Sequence, residues 1–384
     1  SADGEKQPDR SRRRQETPFT VEHFRIWAKR LILDTDEPWI LEPFQAAFLR
    51  DLFSGFLENL LVIPEGNAKT TFAAGIALYH AQFRKYARVV VAAASRDQAE
   101  WLYQAAAGFV ERSPAIKSFF RCQEGYRRIR SDSNGSRSQI FAADDRTGDG
   151  IIPTLGLLEE VHRHRNLNLY RTWRGKMEKR GGQLLGISTA GEPDGEFEAL
   201  RKRIRGECKV TRKGSFLRAV SETTVMHEYA VPADEDPEDI NAVKRANPLK
   251  AITKAQLRRK LDSKAMTPAH WRRFVCGQPN RLESWVEPRA WDALEWDVGN
   301  VAEGDPVYVC VRLATGVGIG LVSLRGEKAA VKIQAIPAPR SGRVPLGQVE
   351  DALRDIARRY EVVDVSFDPD QFMRSAELLE QEGL

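Results

Sequence analysis

The chain has 384 residues, which is long for one domain, so two domains are the natural expectation. Its 42% hydrophobic and 29% charged residues describe a globular protein, and no apolar run approaches the roughly 20 residues of a membrane span. The net charge of +5 is mild, and the four cysteines are widely spaced, so neither a zinc site nor a disulfide framework is indicated. A reducing cytoplasm fits this cysteine usage.

The first predicted elements are an arm and one or two helices. Residues 1–16 are polar and basic without an apolar core, which predicts a flexible arm. Apolar spacing in residues 24–31 and 44–52 predicts helices. From residue 60 to 188, short apolar strands alternate with helices, which predicts a mainly parallel sheet with helices on both faces. Ligands in such sheets lie at the carboxyl ends of the strands.

A strand that begins at Leu60 runs into a tight turn and then a helix, which is how a phosphate-binding loop is built. Lys69 could meet the β- and γ-phosphates of a nucleotide, and the Thr70 hydroxyl could hold Mg²⁺. The usual pattern has glycine at the positions of Ile63 and Ala68, so the loop is degenerate. The candidate nucleotide-binding residues are Gly66, Asn67, Ala68, Lys69, Thr70 and Thr71.

Two acids, Glu159 and Glu160, end a later apolar strand. Beside a phosphate loop, Glu159 could complete a Mg²⁺ shell and Glu160 could polarise the attacking water as a general base. A strand end with two solvated acids is the alternative, and the preceding loop favours the nucleotide site. His162 and His164 follow, but alternating residues of a strand point to opposite faces, so we expect no metal site from them.

Small hydroxyl residues follow the strand at residues 183–188. Ser188 and Thr189 could sense the γ-phosphate and pass its loss to neighbouring segments, and a plain turn is the alternative. Two basic runs, residues 201–213 and 126–130, could track the phosphate backbone of a nucleic acid or form solvated faces. The second of these runs is predicted to lie on a hairpin that turns at residues 134–135.

A second alternation begins after residue 288. It predicts three strands at residues 307–312, 318–324 and 329–336, then a helix at residues 346–360 and a strand at residues 362–367 that leads to Asp368.

The order of these motifs resembles the large terminase subunit of tailed bacteriophages, a motor that uses ATP to package double-stranded DNA into a prohead and that cuts the DNA. The phrases that carry the resemblance are Glu42-Pro43-Phe44-Gln45, the loop at residues 64–71, Ala93-Ala94-Ser95-Arg96-Asp97-Gln98-Ala99, Leu158-Glu159-Glu160-Val161-His162, Ser188-Thr189-Ala190-Gly191, Ala246-Asn247-Pro248 and Gln278-Pro279-Asn280-Arg281.

The resemblance implies roles for individual residues of the motor. Gln45 would recognise adenine, Glu160 would be the catalytic glutamate, and Ser188 with Thr189 would form the coupling motif. Glu159 stands where the family has aspartate, and it still supplies a carboxylate for Mg²⁺. Arg146 would be an arginine finger offered to a neighbouring subunit, or simply a surface loop residue.

The second alternation resembles the ribonuclease-H-like nuclease domain of terminases, in which carboxylates hold two Mg²⁺ or Mn²⁺ ions. Asp368 stands where one of these acids belongs. Arg312 stands where the family has another acid, and its charge would repel a metal ion. The chain also stops at Leu384, so we expect an incomplete domain whose nuclease activity is in question.

The expected fold is therefore α/β: a P-loop ATPase domain with a mainly parallel sheet, followed by a ribonuclease-H-like α/β domain. The expected boundaries are 1–16 for the arm, 17–235 for the motor, 236–285 for a helical linker and 286–384 for the nuclease-like domain.

The expected cofactors are ATP and Mg²⁺, and the expected partners are double-stranded DNA, a small terminase subunit and further copies in a ring on the portal. We expect no membrane partner and a location in the host cell cytoplasm. Two alternatives remain open: a helicase-like nucleic-acid-dependent ATPase, and a non-catalytic prophage-derived assembly protein with a degenerate nucleotide site.

Overall fold

The computed structural model describes residues 17–142, 152–178, 181–282, 300–313, 316–337 and 346–383. The chain divides into two compact units, Ser1–Ser284 and Trp285–Leu384. Within the described ranges, no helix combines the length and the apolar character needed to cross a bilayer. The predicted arm at residues 1–16 lies outside the described residues.

The first unit contains ten helices, of which two are single turns, within the ranges given above. They are α1 (Val21–Ala28), α2 (Pro43–Leu52), α3 (Lys69–Phe83), α4 (Arg96–Arg112), α5 (Pro114–Lys117), α6 (Asn168–Met177), α7 (Glu196–Glu207), α8 (Ile240–Ala246), α9 (Lys254–Leu261) and α10 (Pro268–His270). A π-helix (Trp271–Val275) continues directly from α10, and short 3₁₀ turns cover Glu124–Tyr126 and Val161–Arg163.

Ten strands form one sheet in this unit. They are β1 (Glu58–Val62), β2 (Arg88–Ala93), β3 (Arg121–Gln123), β4 (Arg128–Arg130), β5 (Arg137–Ala142), β6 (Leu155–Glu159), β7 (Gln183–Ser188), β8 (Lys209–Lys213), β9 (Phe216–Val220) and β10 (Thr224–Tyr229). Their order is β3-β4-β5-β2-β6-β7-β1-β10-β9-β8. The six central strands pair in parallel, and antiparallel strands extend both edges.

The predicted α/β architecture is confirmed, with element ends that shift by one or two residues for most strands and helices. The hairpin predicted to turn at residues 134–135 is confirmed as well, because β4 and β5 pair in antiparallel fashion on either side of it. Both faces of the sheet are covered by apolar side chains, with Phe72 of α3 and Leu102 of α4 on one face and Trp173 of α6 on the other.

Strand order brings three predicted strand ends together. In the sheet, β7 lies between β6 and β1 and is parallel to both. The phosphate loop after β1, the acid pair at the end of β6 and Ser188 at the end of β7 therefore share one edge.

Arg201, in the basic run at residues 201–213, is neither a solvated residue nor a free phosphate ligand. Its side chain is fully buried, with Nη1 2.5 Å from Glu198 Oε1 and Nη2 3.1 Å from Glu228 Oε2. Burying this cation costs free energy that the two carboxylates offset, so Arg201 ties α7 to β10. The exposed cations of the run lie instead on α7, at Lys202 and Arg203, and on the edge strand β8.

Asp51 in α2 forms a second ion-pair network with the sheet. Its carboxylate accepts hydrogen bonds from His227 Nε2 at 2.7 Å and from Arg218 Nε at 2.7 Å. Burial alone would raise the pKa of Asp51, but the hydrogen bonds from His227 and Arg218 hold that pKa well below its usual range.

Because the pKa of Asp51 is lower in the folded chain than in the unfolded one, its stabilisation is complete above about pH 5 and is lost progressively as the pH falls from about 4 toward the lowered pKa of the folded chain. We expect Asp51→Asn to lower the free energy of unfolding by about 1–3 kcal/mol at pH 7 and by clearly less at about pH 2. Thermal melts at both pH values, beside the exposed control Asp262→Asn, measure this. An equal loss at both pH values would contradict it.

The second unit contains a four-stranded sheet and two helices in its described part. The strands are β11 (Pro306–Leu313), β12 (Gly316–Arg325), β13 (Lys328–Pro337) and β14 (Glu361–Phe367), and the helices are α11 (Leu346–Arg359) and α12 (Pro369–Gln381). The strand order is β13-β12-β11-β14, with only β11 and β14 parallel. Apolar residues of α11 and α12 cover one face. This smaller sheet is consistent with the nuclease-like domain that the sequence predicts.

Candidate nucleotide site

The turn between β1 and α3 has the shape that a phosphate loop requires. Gly66 and Ala68 both have left-handed backbone conformations, with φ of 80° and 54°. Phosphate loops usually have glycine at the position of Ala68, because glycine avoids the cost of about 1–2 kcal/mol that a left-handed conformation imposes on other residues. Ala68 therefore departs from the sequence pattern but not from its backbone geometry.

Lys69 is the first residue of α3, and its ammonium group lies inside the loop. Its Nζ atom donates to the carbonyl oxygens of Ile63 at 3.5 Å and Pro64 at 3.4 Å, and lies 3.3 Å from Glu160 Oε1. Lys69 is only 7% exposed. The cation is thus already at the edge where the strands β1 and β6 end.

Thr70 and Glu159, the two residues predicted to hold Mg²⁺, contact each other. The Thr70 hydroxyl donates to Glu159 Oε1 at 2.5 Å, and Glu159 is 4% exposed. Burial raises the pKa of Glu159 to about 7, with the charge of Glu160 adding to the rise and the bond from Thr70 opposing it. A hydroxyl and one carboxylate are the oxygen donors that Mg²⁺ uses beside phosphates and water, so these residues fit the ion.

Glu160 has a strained backbone and a crowded carboxylate. Its φ is 46°, a left-handed conformation that often marks functional sites. Glu160 Oε2 lies 3.0 Å from the Thr189 hydroxyl and 3.1 Å from His162 Nδ1. Burial would raise the pKa of Glu160, but the charge of Lys69 and the bond from His162 hold it well below its usual range. Glu160 is therefore ionised, as a general base must be.

His162 links Glu160 to Ser188, a contact that the sequence did not predict. Its Nδ1 atom lies 3.0 Å from Ser188 Oγ, and its backbone N–H donates to the same hydroxyl at 3.1 Å. Burial lowers the pKa of His162, so the ring is neutral and its Nδ1–H donates to Glu160. The expected strand is here a 3₁₀ turn, because the left-handed Glu160 ends β6.

Residues far along the chain form hydrogen bonds with the phosphate loop. The Asn67 side chain donates to Asn247 Oδ1 at 2.9 Å, and Asn67 Oδ1 accepts the Leu249 N–H at 3.2 Å. Asn247 also donates to the Val275 carbonyl at 2.8 Å. The π-helix adds a bond from the Glu65 N–H to the Phe274 carbonyl at 2.9 Å. Both amides are buried, so the segment from α8 to the π-helix fixes the loop.

Replacing Asn247 with Leu should loosen this loop. Because the change leaves Asn67 and the Val275 carbonyl buried without their partner, we expect a loss of about 1–3 kcal/mol in the free energy of unfolding. We also expect weaker binding of a fluorescent ATP analogue, measured by titration beside Asn241→Ala, an exposed amide on the same helix. Unchanged nucleotide affinity in Asn247→Leu would mean that the loop keeps its shape without the pair.

The remaining predicted residues lie in different places. Gln45 is 1% exposed, and its Oε1 accepts the Glu42 N–H at 3.0 Å in a capping box at the start of α2. Thr71 lies in the first turn of α3, partly buried. Arg146 lies outside the described residues. Adenine recognition by Gln45 therefore stays a prediction.

The residues that the sequence analysis considered for a nuclease site lie in the second unit. Asp368 follows β14, and its Oδ2 lies 4.0 Å from Nη1 of Arg312, which ends the exposed face of β11. No group of three or more His, Cys, Asp or Glu residues that could hold a metal exists within the described ranges. With a cation beside its predicted acid, the described part of this unit does not fit a two-metal centre.

Part of the first unit matches a known protein family. Residues 47–206 match the family model of the terminase large subunit, ATPase domain. A search of curated proteins gives no match.

The fold also matches solved structures. The crystal structure of the HK97 bacteriophage large terminase is 18% identical, with a TM-score of 0.58, and the match covers 94% of this chain and 83% of that one. A large terminase from a thermophilic bacteriophage is 14% identical, with a TM-score of 0.41 and coverage of 86% and 76%. For an ATPase domain of the Thermus phage P74-26 large terminase, identity is 14%, the TM-score is 0.46 and coverage is 63% and 95%.

Proposed function

This chain resembles the large terminase subunits of tailed bacteriophages and carries their ATPase-domain sequence, and we propose that it is an ATP-driven motor that packages double-stranded DNA into a prohead. One observation carries the proposal. Lys69, the Thr70–Glu159 pair and ionised Glu160 converge where β1 and β6 end, on either side of β7, and these are the groups that phosphoryl transfer to water needs.

In the proposed reaction, ATP lies on the loop between β1 and α3. Lys69 moves from Glu160 to the β- and γ-phosphate oxygens and balances their charge. Bound Mg²⁺, held by Thr70 and Glu159, would neutralise charge on the same phosphates. Glu160, freed from Lys69, orients and deprotonates the attacking water. The backbone N–H groups at the start of α3 face the phosphates.

The coupling step uses the contacts of β7. Thr189 donates to Glu160 through its hydroxyl, and Ser188 meets His162, so a shift of Glu160 on γ-phosphate loss would move the end of β7. Arg273 of the π-helix donates to the Ala190 carbonyl at 3.1 Å. The same helical segment thus contacts both the phosphate loop and the coupling motif, and it is the proposed route from hydrolysis to movement.

The finer parts of the proposal follow from the resemblance. We propose a ring of copies docked on the portal in the host cytoplasm, a small terminase subunit as partner, and Arg146 as the finger offered to the neighbouring site. The proposed domains keep the boundaries predicted from the sequence, with a linker at residues 236–285. We propose no cutting step for the second unit, since Arg312 lies beside Asp368.

The test is ATP hydrolysis by the purified chain with and without Mg²⁺ and linear double-stranded DNA. We expect Mg²⁺-dependent hydrolysis that DNA stimulates and that Lys69→Ala abolishes, whereas the exposed control Lys250→Ala keeps it. Hydrolysis without DNA stimulation would favour a motor that acts on another substrate. No hydrolysis and no nucleotide binding, at any protein concentration, would favour the non-catalytic assembly protein.

The helicase-like alternative requires a second motor-type fold after the first. The mixed four-stranded sheet of the second unit, with antiparallel β11, β12 and β13, has a different strand order and supports the packaging motor instead.

A further inference from the structure

Four arginines stand side by side across four neighbouring strands of the first unit. The strand register pairs Arg121 of β3 with Arg130 of β4, Arg130 with Arg137 of β5, and Arg137 with Arg88 of β2. Residues paired directly in a sheet point to the same face. These four residues, called the arginine row below, therefore form one line on one face.

The arginine row is far from the nucleotide site. Arg88 begins β2, whereas the site lies at the carboxyl ends of the parallel strands, about 15–20 Å away along the sheet. The row shares its face with Phe141 of β5, which contacts Trp173 of α6. From Arg88 of β2 the arginine row extends toward β3 at the edge of the sheet. None of its residues belongs to the candidate nucleotide-binding set.

The charges of the arginine row are poorly balanced within the described chain. Asp132 lies 3.1 Å from Arg121 Nε and 3.2 Å from Arg130 Nη2, so one carboxylate is shared by two arginines. Arg88 and Arg137 have no carboxylate in ion-pair distance among the described residues. Like charges directly opposite each other in a sheet are destabilising, so the alignment of these arginines does not stabilise the fold.

A fifth arginine extends the positive surface. Arg128 lies in β4 on the same face as Arg130, packs over the exposed Tyr126 ring at 5.7 Å and has a buried Nε without a partner in the described chain. Burial lowers the pKa of the Arg137 guanidinium, and the charges of Arg88 and Arg128 lower it further. The lowered pKa is a consequence of how close these cations lie.

We propose that the arginine row is a contact surface for the phosphate backbone of double-stranded DNA. Three strand spacings of about 4.8 Å make the row about 14 Å long. That length matches about four base-pair steps of 3.4 Å, so several phosphates of one strand can face it. Planar guanidinium groups bind phosphate oxygens through two parallel hydrogen bonds. This inference rests on the proposed packaging function and adds where the first unit meets DNA.

The experiment measures the affinity of the full chain for a fluorescein-labelled duplex of about 30 base pairs by anisotropy, between about 50 and 200 mM NaCl. In the triple variant Arg121→Gln/Arg130→Gln/Arg137→Gln, we expect the slope of log affinity against log salt to fall by about 2–3 and the affinity to fall at least tenfold. The variant Arg121→Lys/Arg130→Lys/Arg137→Lys keeps the charges, and we expect it to keep the slope.

The matched control removes three exposed cations at the opposite edge of the sheet, in the variant Lys209→Gln/Arg212→Gln/Lys213→Gln. We expect a smaller change of slope there. Thermal melts and ATP hydrolysis without DNA should match the wild type in all variants. If the triple Gln variant does not fold, the single exposed Arg137→Gln should lower the slope by about 0.9.

Two results would overturn the inference in different ways. Unchanged duplex affinity in the Gln variants would assign the row to another partner, such as an acidic protein surface, and leave the packaging motor standing. A wild-type chain that hydrolyses ATP but binds no duplex at any salt concentration would overturn the packaging function as well.

Discussion

Glu160→Gln should lower the rate of ATP hydrolysis by about 10²–10⁴-fold, the usual contribution of a general base. The amide still accepts the hydrogen bond from Thr189, but it cannot take a proton from water. The substitution also removes the ion pair between Lys69 Nζ and Glu160 Oε1, which lie 3.3 Å apart in the wild type. Because Lys69 is then free for phosphates, we expect ATP to bind at least as tightly as in the wild type.

Steady-state hydrolysis and titration with a fluorescent ATP analogue separate these two effects. Glu207→Gln is the matched control, since Glu207 is an exposed acid at the end of α7. A large loss of ATP affinity in Glu160→Gln would show that the acid serves binding rather than catalysis. Retained hydrolysis would remove Glu160 from the proposed mechanism.

Arg201→Met should destabilise the first unit by about 3–5 kcal/mol, because it leaves Glu198 and Glu228 buried without their shared cation. Methionine fills much of the same volume, so the loss reports the charge and not a cavity. Lys202→Met, at the next and exposed position of α7, should change stability by less than about 0.5 kcal/mol.

Chemical denaturation of both variants measures the difference. The triple variant Arg201→Met/Glu198→Gln/Glu228→Gln should recover a large part of the stability, since it removes the buried charges together. If Arg201→Met is as stable as the wild type, then Arg205, which lies 2.9 Å from Glu228, is sufficient to balance the acids.

The local motifs were predictable because each is encoded within a few consecutive residues. The apolar run from Leu60, the turn and the Lys69–Thr70 pair specify a strand, a left-handed loop and a helix start. Alternating apolar runs likewise predicted the α/β fold. The departure at Ala68 was visible in the sequence, but its backbone conformation was not.

The chain's ion pairs were not predictable in the same way. The run at residues 201–213 is rich in arginine and lysine, yet Arg201 is buried because β10 brings Glu228 beside α7. In the same way, Asp51 meets Arg218 and His227 only through the fold. Nothing local in the sequence distinguishes these residues from solvated charges.

The sequence by itself determined the fold class, the order of motifs and the groups offered to a nucleotide. Only the tertiary structure decided their partners: His162 with Glu160, Asn247 with Asn67, and the alignment of Arg88 with Arg137. The physical reason is that a turn or a helix start depends on neighbouring residues. Strand register and long-range amide pairs depend instead on how distant segments pack, and a shift of one residue would turn each arginine to the other face.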